Sequence, residues 1–453
     1  MPCHPDHSGR VTVLSRSVVY PEKPSGMGDL HLTVSDLPML CCHYIQKGLL
    51  YSAFTPSKHF IIQLLRLSLS KTLSYFPPLA GRLATDAEGH VRVVCNDAGA
   101  ELIHADGSGL SVSDVLTPVR VPISVNSFFA LPKTVNYSGH RKPILLIQVT
   151  ELSDGVFIGC TVNHAVVDGT SLWHFFNTFA EVSRGYSGIT RLPDFSRDDT
   201  VLTSKAVLRF PPGGPKITFN DAEPLSERIF SFSRAAVARI KYLANRSSHE
   251  NCCVAEVMDG TRYKEKKKEI SSFQSLSALL WRAVTRARKL SSTKITTFRM
   301  AVNIRHRLMP VHDPYYFGNA IQSIPTEAPA GSVVGRDISW CARALHESVK
   351  NHDDAAARRM IKEWEADPKC FPLGNFDGAS IAIGSSPRFP MFDNDFGWGT
   401  PLAIRSGSAN KYDGKISAFP GHAGPGSIDL EVALSPVTMA AIERDSEFME
   451  FVS

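Results

Sequence analysis

The stretch RFPPGGP at residues 209–215 concentrates proline and glycine between two long blocks of mixed helix-like and strand-like patterning. Proline fixes φ and withdraws a backbone donor, while glycine loosens the chain, so such a run joins elements and does not lie inside one. At 453 residues the chain also exceeds what a single hydrophobic core organises. The expectation is two α/β domains, over 1–200 and 226–453, joined by a crossover linker over 201–225.

In the first block, residues 58–76 space their apolar side chains as a helix, stopped by Pro77-Pro78. VRVVCND from residue 91 reads as a strand. PILLIQVTEL and GVFIGCTVNH flank Ser153-Asp154-Gly155 and read as a hairpin. Leu172, Phe175, Phe176 and Phe179 then share one helical face that ends by Gly185. In the second block, Phe273, Leu276, Leu280 and Val284 predict a helix and TTFRMAVNIR a strand. SIDLEVALS predicts a strand leading to a final helix opened by Ser435-Pro436.

Charge and cysteine usage exclude several classes. A hydrophobic fraction of 43% against 21% charged residues argues against disorder. The net charge of +5 is scattered, without the basic stripe of a nucleic-acid binder, and the Lys264–Lys268 cluster reads as a solvated loop. Nine cysteines without a Cys-x-x-Cys indicate no zinc ribbon or thioredoxin-like site and fit a reducing, cytoplasmic setting. There is no secretory h-region or membrane-length apolar run, so the sequons at Asn136 and Asn245 read as chance matches.

The segment Asn163-His164-Ala-Val-Val-Asp168-Gly169 carries the chemistry. It places His164 where a buried strand ends and Gly169 where a helix begins, so a rigid element fixes the imidazole and a turn exposes it. Histidine titrates near neutral pH and suits proton removal. With 16 histidines in the chain, His-x-x-x-Asp alone reads equally as a satisfied histidine closing a strand.

Further segments decide between these readings. Asp395-Phe396-Gly397-Trp398-Gly399 lies downstream, and Phe76-Pro-Pro-Leu-Ala-Gly-Arg-Leu83 upstream. Gln274-Ser-Leu-Ser-Ala-Leu-Leu-Trp281-Arg282, Asn303-Ile-Arg305-His-Arg307 and Tyr316-Phe-Gly-Asn319 follow in order. With these blocks the chain resembles, along its whole length, the BAHD acyl-CoA-dependent acyltransferases, whose signatures are HxxxDG and DFGWG. Asp36-Leu-Pro-Met-Leu, His43-Tyr-Ile-Gln-Lys-Gly48 and Gly384-Ser-Ser-Pro-Arg-Phe-Pro390 are similar to a subgroup that also resembles an isochorismoyl-glutamate-cleaving enzyme.

The resemblance implies two chloramphenicol-acetyltransferase-like domains, a segment near 402–426 returning to the first, and a solvent channel between them. It implies a monomer that uses acyl-CoA as co-substrate and a small plant metabolite as acceptor. It calls for no bound cofactor, no metal, no nucleic acid, no membrane insertion and no covalent acyl-enzyme. His164 is the expected general base. Asp168 either orients the imidazole or, as the resemblance favours, pairs with Arg305 (Arg307 being second choice) to hold the loop. The Asp395–Gly399 motif is expected to be structural, shaping the CoA side of the channel. Lys266, Ser272 and Ser275 are candidates for CoA; His43, Tyr44, Ser385 and Ser386 for the substrate. Phe371 stands where shikimate-using members carry an arginine, and Gly384-Ser385-Ser386 where they carry Thr-Ser-Trp, so shikimate is an unlikely acceptor. A lyase on the same scaffold, using His164 and Tyr44 on an isochorismate-derived conjugate, is the alternative.

Overall fold

The computed structural model describes residues 11–52, 58–117, 119–186, 188–197, 201–211, 214–246 and 269–453. Two six-stranded sheets organise it. The first runs, in spatial order, Thr12–Val19, Ala100–Asp106, Leu145–Glu151, Gly155–Val162, Ile45–Ser52 and Ala403–Ser406. Its centre is the expected hairpin, Leu145–Glu151 against Gly155–Val162, turned at Ser153-Asp154 and closed by the Leu152 N–H to the Gly155 carbonyl at 2.9 Å. Nearly every residue of both strands is buried, as befits a sheet covered on both faces.

Ala403–Ser406 reaches this sheet from far along the chain and pairs antiparallel with Ile45–Ser52, Ala403 opposite Leu50. The second sheet runs Ile321–Pro329, Ile295–Asn303, Ile381–Ile383, Lys415–Pro420, Ile428–Leu434 and Ser226–Phe232. Ser272–Ala287 packs its apolar stripe on it, opened by a capping box in which Ser271 and Gln274 satisfy each other's backbone N–H. Trp281, fully buried in that interface, donates to Thr296 Oγ1 at 3.1 Å. A small third sheet pairs Leu30–His31 and Arg82–Thr85 with Val91–Val94.

The helix expected over 58–76 ends at Leu73, and Pro77–Ala80 continues as a 3₁₀ turn that proline can begin but not extend as α. Gly169–Ser183 stops at Gly185, whose φ of +85° suits glycine. Two helices that the sequence reading did not bring forward, Ile338–Lys350 and Asp354–Ala366, are capped by Asp337 and Asp353. The helix at Ser435-Pro436 spans Pro436–Ile442 and is followed by a further short one, Ser446–Met449. Among the described residues no helix is long and apolar enough to cross a membrane.

Candidate active site

A cavity of about 980 Å³ is lined by residues of both sheet-containing domains. Gln46, Lys47 and His164 come from the first; Gln274, Asn303 and Lys415 from the second.

His164 follows the last residue of Gly155–Val162 by two positions, and its backbone is clamped from two sides. Its N–H donates to Asn136 Oδ1 at 2.7 Å, and its carbonyl accepts from Asn319 Nδ2 at 2.7 Å. The ring Nδ1 lies 2.9 Å from the Val167 carbonyl. A carbonyl only accepts, so Nδ1 carries the proton and Nε2 presents a lone pair, with no protein partner among the described residues. Burial holds the imidazole below its usual range. Its hydrogen bonds and Asp168 pull the other way, and Lys415 adds to the lowering. A neutral imidazole in the cavity wall results.

Asp168 does not bond the imidazole. Its Oδ1 caps the following helix by accepting from Ser171 N–H at 3.0 Å. Its Oδ2 receives Arg305 at 2.6 Å and the Ala320 N–H at 3.1 Å. Arg305 is fully buried and also donates to the Tyr316 and Gly318 carbonyls, at 3.0 and 2.8 Å. Gly169 is required here, because a Cβ would fall 2.7 Å from the Phe389 ring. A second buried pair, Asp36 with Arg197, braces the same region: Asp36 accepts both the backbone and side-chain N–H of Asn319, each at 2.9 Å. Asn319 thereby links one ion pair to the carbonyl of His164.

Three lysines, Lys47, Lys411 and Lys415, line the same cavity. Lys47 Nζ donates to Ser406 and Ser417 hydroxyls at 2.6 and 3.3 Å, and burial lowers it to about 7. Lys411 is ion-paired with Glu227 and, at 3.2 Å, with Glu431. Burial lowers Lys415 to about 8.

The profile of the Transferase family matches residues 9–449. BAHD acyltransferase DCR of Arabidopsis thaliana is 34% identical, covering 97% of this chain and 92% of its own. The chain belongs to the BAHD acyltransferases. By fold this BAHD chain is similar to vinorine synthase, at 21% identity and a TM-score of 0.75 over 98% of this chain and 99% of the other. It is similar also to TRI101 of F. sporotrichioides, solved with coenzyme A and T-2, at 18% identity and a TM-score of 0.74 over 94% and 99%. It is an acyl-CoA-dependent acyltransferase.

The BAHD site gathers some of the residues singled out from sequence and leaves others aside. His164, Ser385 and Ser386 line the cavity, the Ser385 hydroxyl donating to the Ala418 carbonyl at 2.9 Å. Tyr44 does not: it is fully buried with Ile103 and Leu146, and its hydroxyl donates to the Pro143 carbonyl at 3.1 Å. His43 is buried one layer behind, its Nδ1 accepting from the N–H of the cavity residue Asn410 at 3.2 Å. Ser275 is also withdrawn, fully buried with its hydroxyl on the Ser271 carbonyl at 2.9 Å. Ser272 is half-buried at the helix start but does not line the cavity; its neighbours Ser271 and Phe273 do. Lys266 lies outside the described residues.

The Asp395–Gly399 segment folds as a closed turn in which Asp395 Oδ1 accepts the N–H groups of Gly397 and Gly399 at 2.8 and 2.9 Å. Both glycines have φ of +100°. Phe396 and Trp398 stack on each other and pack edge-on to Tyr51. None of the five residues lines the cavity. The sequon at Asn136 is fully buried, its side chain spent on His164 and the Met39 carbonyl. The reading from sequence missed Lys47, Lys411 and Lys415, although for Lys47 and Lys415 the charge inside the buried strands IQKGLLYS and KISAFP was an available signal.

Proposed function

We propose that the chain transfers an acyl group from acyl-CoA to the hydroxyl or amine of a small metabolite, with His164 as general base and Asp168 as a positioning residue. The observation that carries this is the imidazole's protonation geometry: Nδ1–H committed to the Val167 carbonyl, in a ring that lines the cavity and whose Nε2 has no protein partner among the described residues. Nε2 takes the acceptor's proton as its oxygen or nitrogen attacks the thioester carbonyl. The tetrahedral oxyanion collapses, the carbon–sulfur bond breaks, and the proton passes from Nε2 to the departing thiolate. No bond to the protein forms, so both reactants must be bound together, which a cavity lined from two domains allows.

The sequence suggests domain limits near residues 200 and 226, and we retain them; of the segment near 402–426 expected to return to the first domain, Ala403–Ser406 pairs with the first sheet, whereas Lys415–Pro420 belongs to the second. Action in the cytosol as a monomer is part of the same reading; among the described residues six cysteines are free, five of them buried, which supports a reducing setting. The lyase alternative would draw on His164 and Tyr44; the Tyr44 hydroxyl donates to the Pro143 carbonyl, which favours the transferase reading. Incubating the purified protein with a panel of acyl-CoAs and acceptor extracts, following free thiol and product mass, tests the proposal. Acceptor-dependent thiol release that disappears in His164→Ala is the expected result; cleavage of a conjugate without CoA would replace the reading.

A further inference from the structure

Among the charged groups of the cavity wall that the mechanism gives no task, Lys415 is the one whose charge bears on His164. Lys415 opens the strand Lys415–Pro420, held in register by Ala382 on one side and Ala433 on the other. Its side chain lines the cavity together with His164, and its charge reaches the imidazole. Among the described residues no carboxylate pairs with it. Lys411 takes Glu227 and Glu431, and Lys47 is held by two serine hydroxyls and by the Phe419 ring at 4.8 Å. An ammonium half-buried in a cavity wall without a counter-charge is only partly solvated, and a ligand carboxylate supplies the missing charge.

The backbone is also shaped for this group. A Cβ added at Gly384 would fall 2.3 Å from Lys415 Nζ and 3.5 Å from its Cε. Gly384 is itself a cavity residue, followed by Ser385 and Ser386, which line the same wall. Glycine at 384 therefore leaves the ammonium room against that wall of the cavity. Any larger side chain would push it off.

We propose that Lys415 is a carboxylate-binding, specificity-determining residue, and that one of the two reactants is an anion whose carboxylate docks on its Nζ. The carboxylate belongs either to a hydroxy- or amino-acid acceptor or to the far end of a dicarboxylic acyl group. A lysine binds it as a compact point charge rather than through a fork. This rests on the transferase reading for the identity of the reactants, not for the docking itself.

Two matched pairs separate the sources. 3-Hydroxybenzoate and its methyl ester differ only in acceptor charge, with acetyl-CoA as donor. Malonyl-CoA and acetyl-CoA differ in acyl charge, with methyl 3-hydroxybenzoate as acceptor. The parent should favour the charged member of one pair by about 10- to 100-fold in kcat/KM, the value of a hydrogen bond to a charged partner. In Lys415→Met that ratio should collapse toward one through KM. Gly384→Ala should reduce it too, which covers the case in which the methionine variant does not fold. A ratio unchanged by both variants, or equal losses on charged and neutral members, overturns the proposal. Calorimetric titration of His164→Ala with 3-hydroxybenzoate and malonyl-CoA, with and without Lys415→Met, reads docking apart from turnover. Lys415-dependent binding of one anion without any thiol release by the parent upholds this proposal while defeating the transferase reading. Absence of discrimination in both assays defeats the proposal itself.

Discussion

Arg305 and Lys415 both bring positive charge to the loop that carries His164, yet the fold treats them in opposite ways. Arg305 has no exposed surface, sits 2.6 Å from Asp168, and spends its other donors on the Tyr316 and Gly318 carbonyls. Lys415 faces the cavity with no carboxylate partner among the described residues. The first arrangement locks a backbone; the second keeps a charge in reserve. Satisfied buried ions hold shape, whereas an unsatisfied one in a cavity points toward a ligand. Arg305 holds the loop and Lys415 lines the cavity, so shape and specificity can be altered separately.

The closed side should break with the largest effect. Asp168→Asn leaves Arg305 buried without its counter-charge, a loss of about 3–5 kcal/mol of stability. Denaturant unfolding should show it, with turnover per folded molecule much less affected. A variant as stable as the parent but inactive would instead make Asp168 an orienting partner of the imidazole. His164→Ala removes no ion pair and should unfold like the parent. Its turnover should fall by at least about 10²-fold, the lower end for positioned proton transfer. Near-parental turnover in that folded variant would remove His164 from the chemistry.

The same contrast explains what could be read from sequence. The His164 loop was legible because strand, turn and helix signals coincide within Thr161–Leu172, and Asp168 and Arg305 sit in ordered family blocks. The central hairpin and the Ser272–Ala287 helix follow from simple periodicity. Lys415 was missed because its meaning depends on Gly384, distant in sequence and adjacent only through the parallel pairing of Ile381–Ile383 with Lys415–Pro420. Tyr44 misled for a related reason. It lies just before the strand Ile45–Ser52, and its burial against Ile103 and Leu146 comes from packing between distant segments that local patterning does not show. The helices Ile338–Lys350 and Asp354–Ala366, with their many charged residues, carry narrower apolar stripes that were passed over.

A smaller effect is expected on the pH profile. Burial is the first cause of His164's lowered pKa, and Lys415 adds to it, while Asp168 opposes both. The base form is the unprotonated one. The acid limb of kcat/KM should therefore lie below the ordinary histidine value of about 6.5, activity falling only as pH drops through the lower folded value. Lys415→Met removes a cation that favoured the neutral ring, so its limb should move to higher pH. It should not return fully, because burial remains. A limb that stays in place would mean that the two groups are electrostatically independent, and would weaken the picture of Lys415 beside the reacting atoms.

The smallest effect is predicted for Tyr44, which the structure places on the closed side. Its ring packs with Ile103, Ala130 and Leu146, and burial pushes its phenol up to about 12, so it stays protonated and donates to the Pro143 carbonyl at 3.1 Å. Tyr44→Phe keeps the ring and deletes only the donor, leaving one buried carbonyl short of a partner. The loss should be about 0.5–1.5 kcal/mol of stability, seen as a modest shift in the denaturant midpoint with the slope unchanged. Acceptor KM and thiol release should match the parent, since the hydroxyl does not reach the cavity. A raised acceptor KM at unchanged stability would mean that the hydroxyl swings into the cavity during turnover. That result would move Tyr44 from the closed region to the open one and favour the lyase alternative, which draws on it.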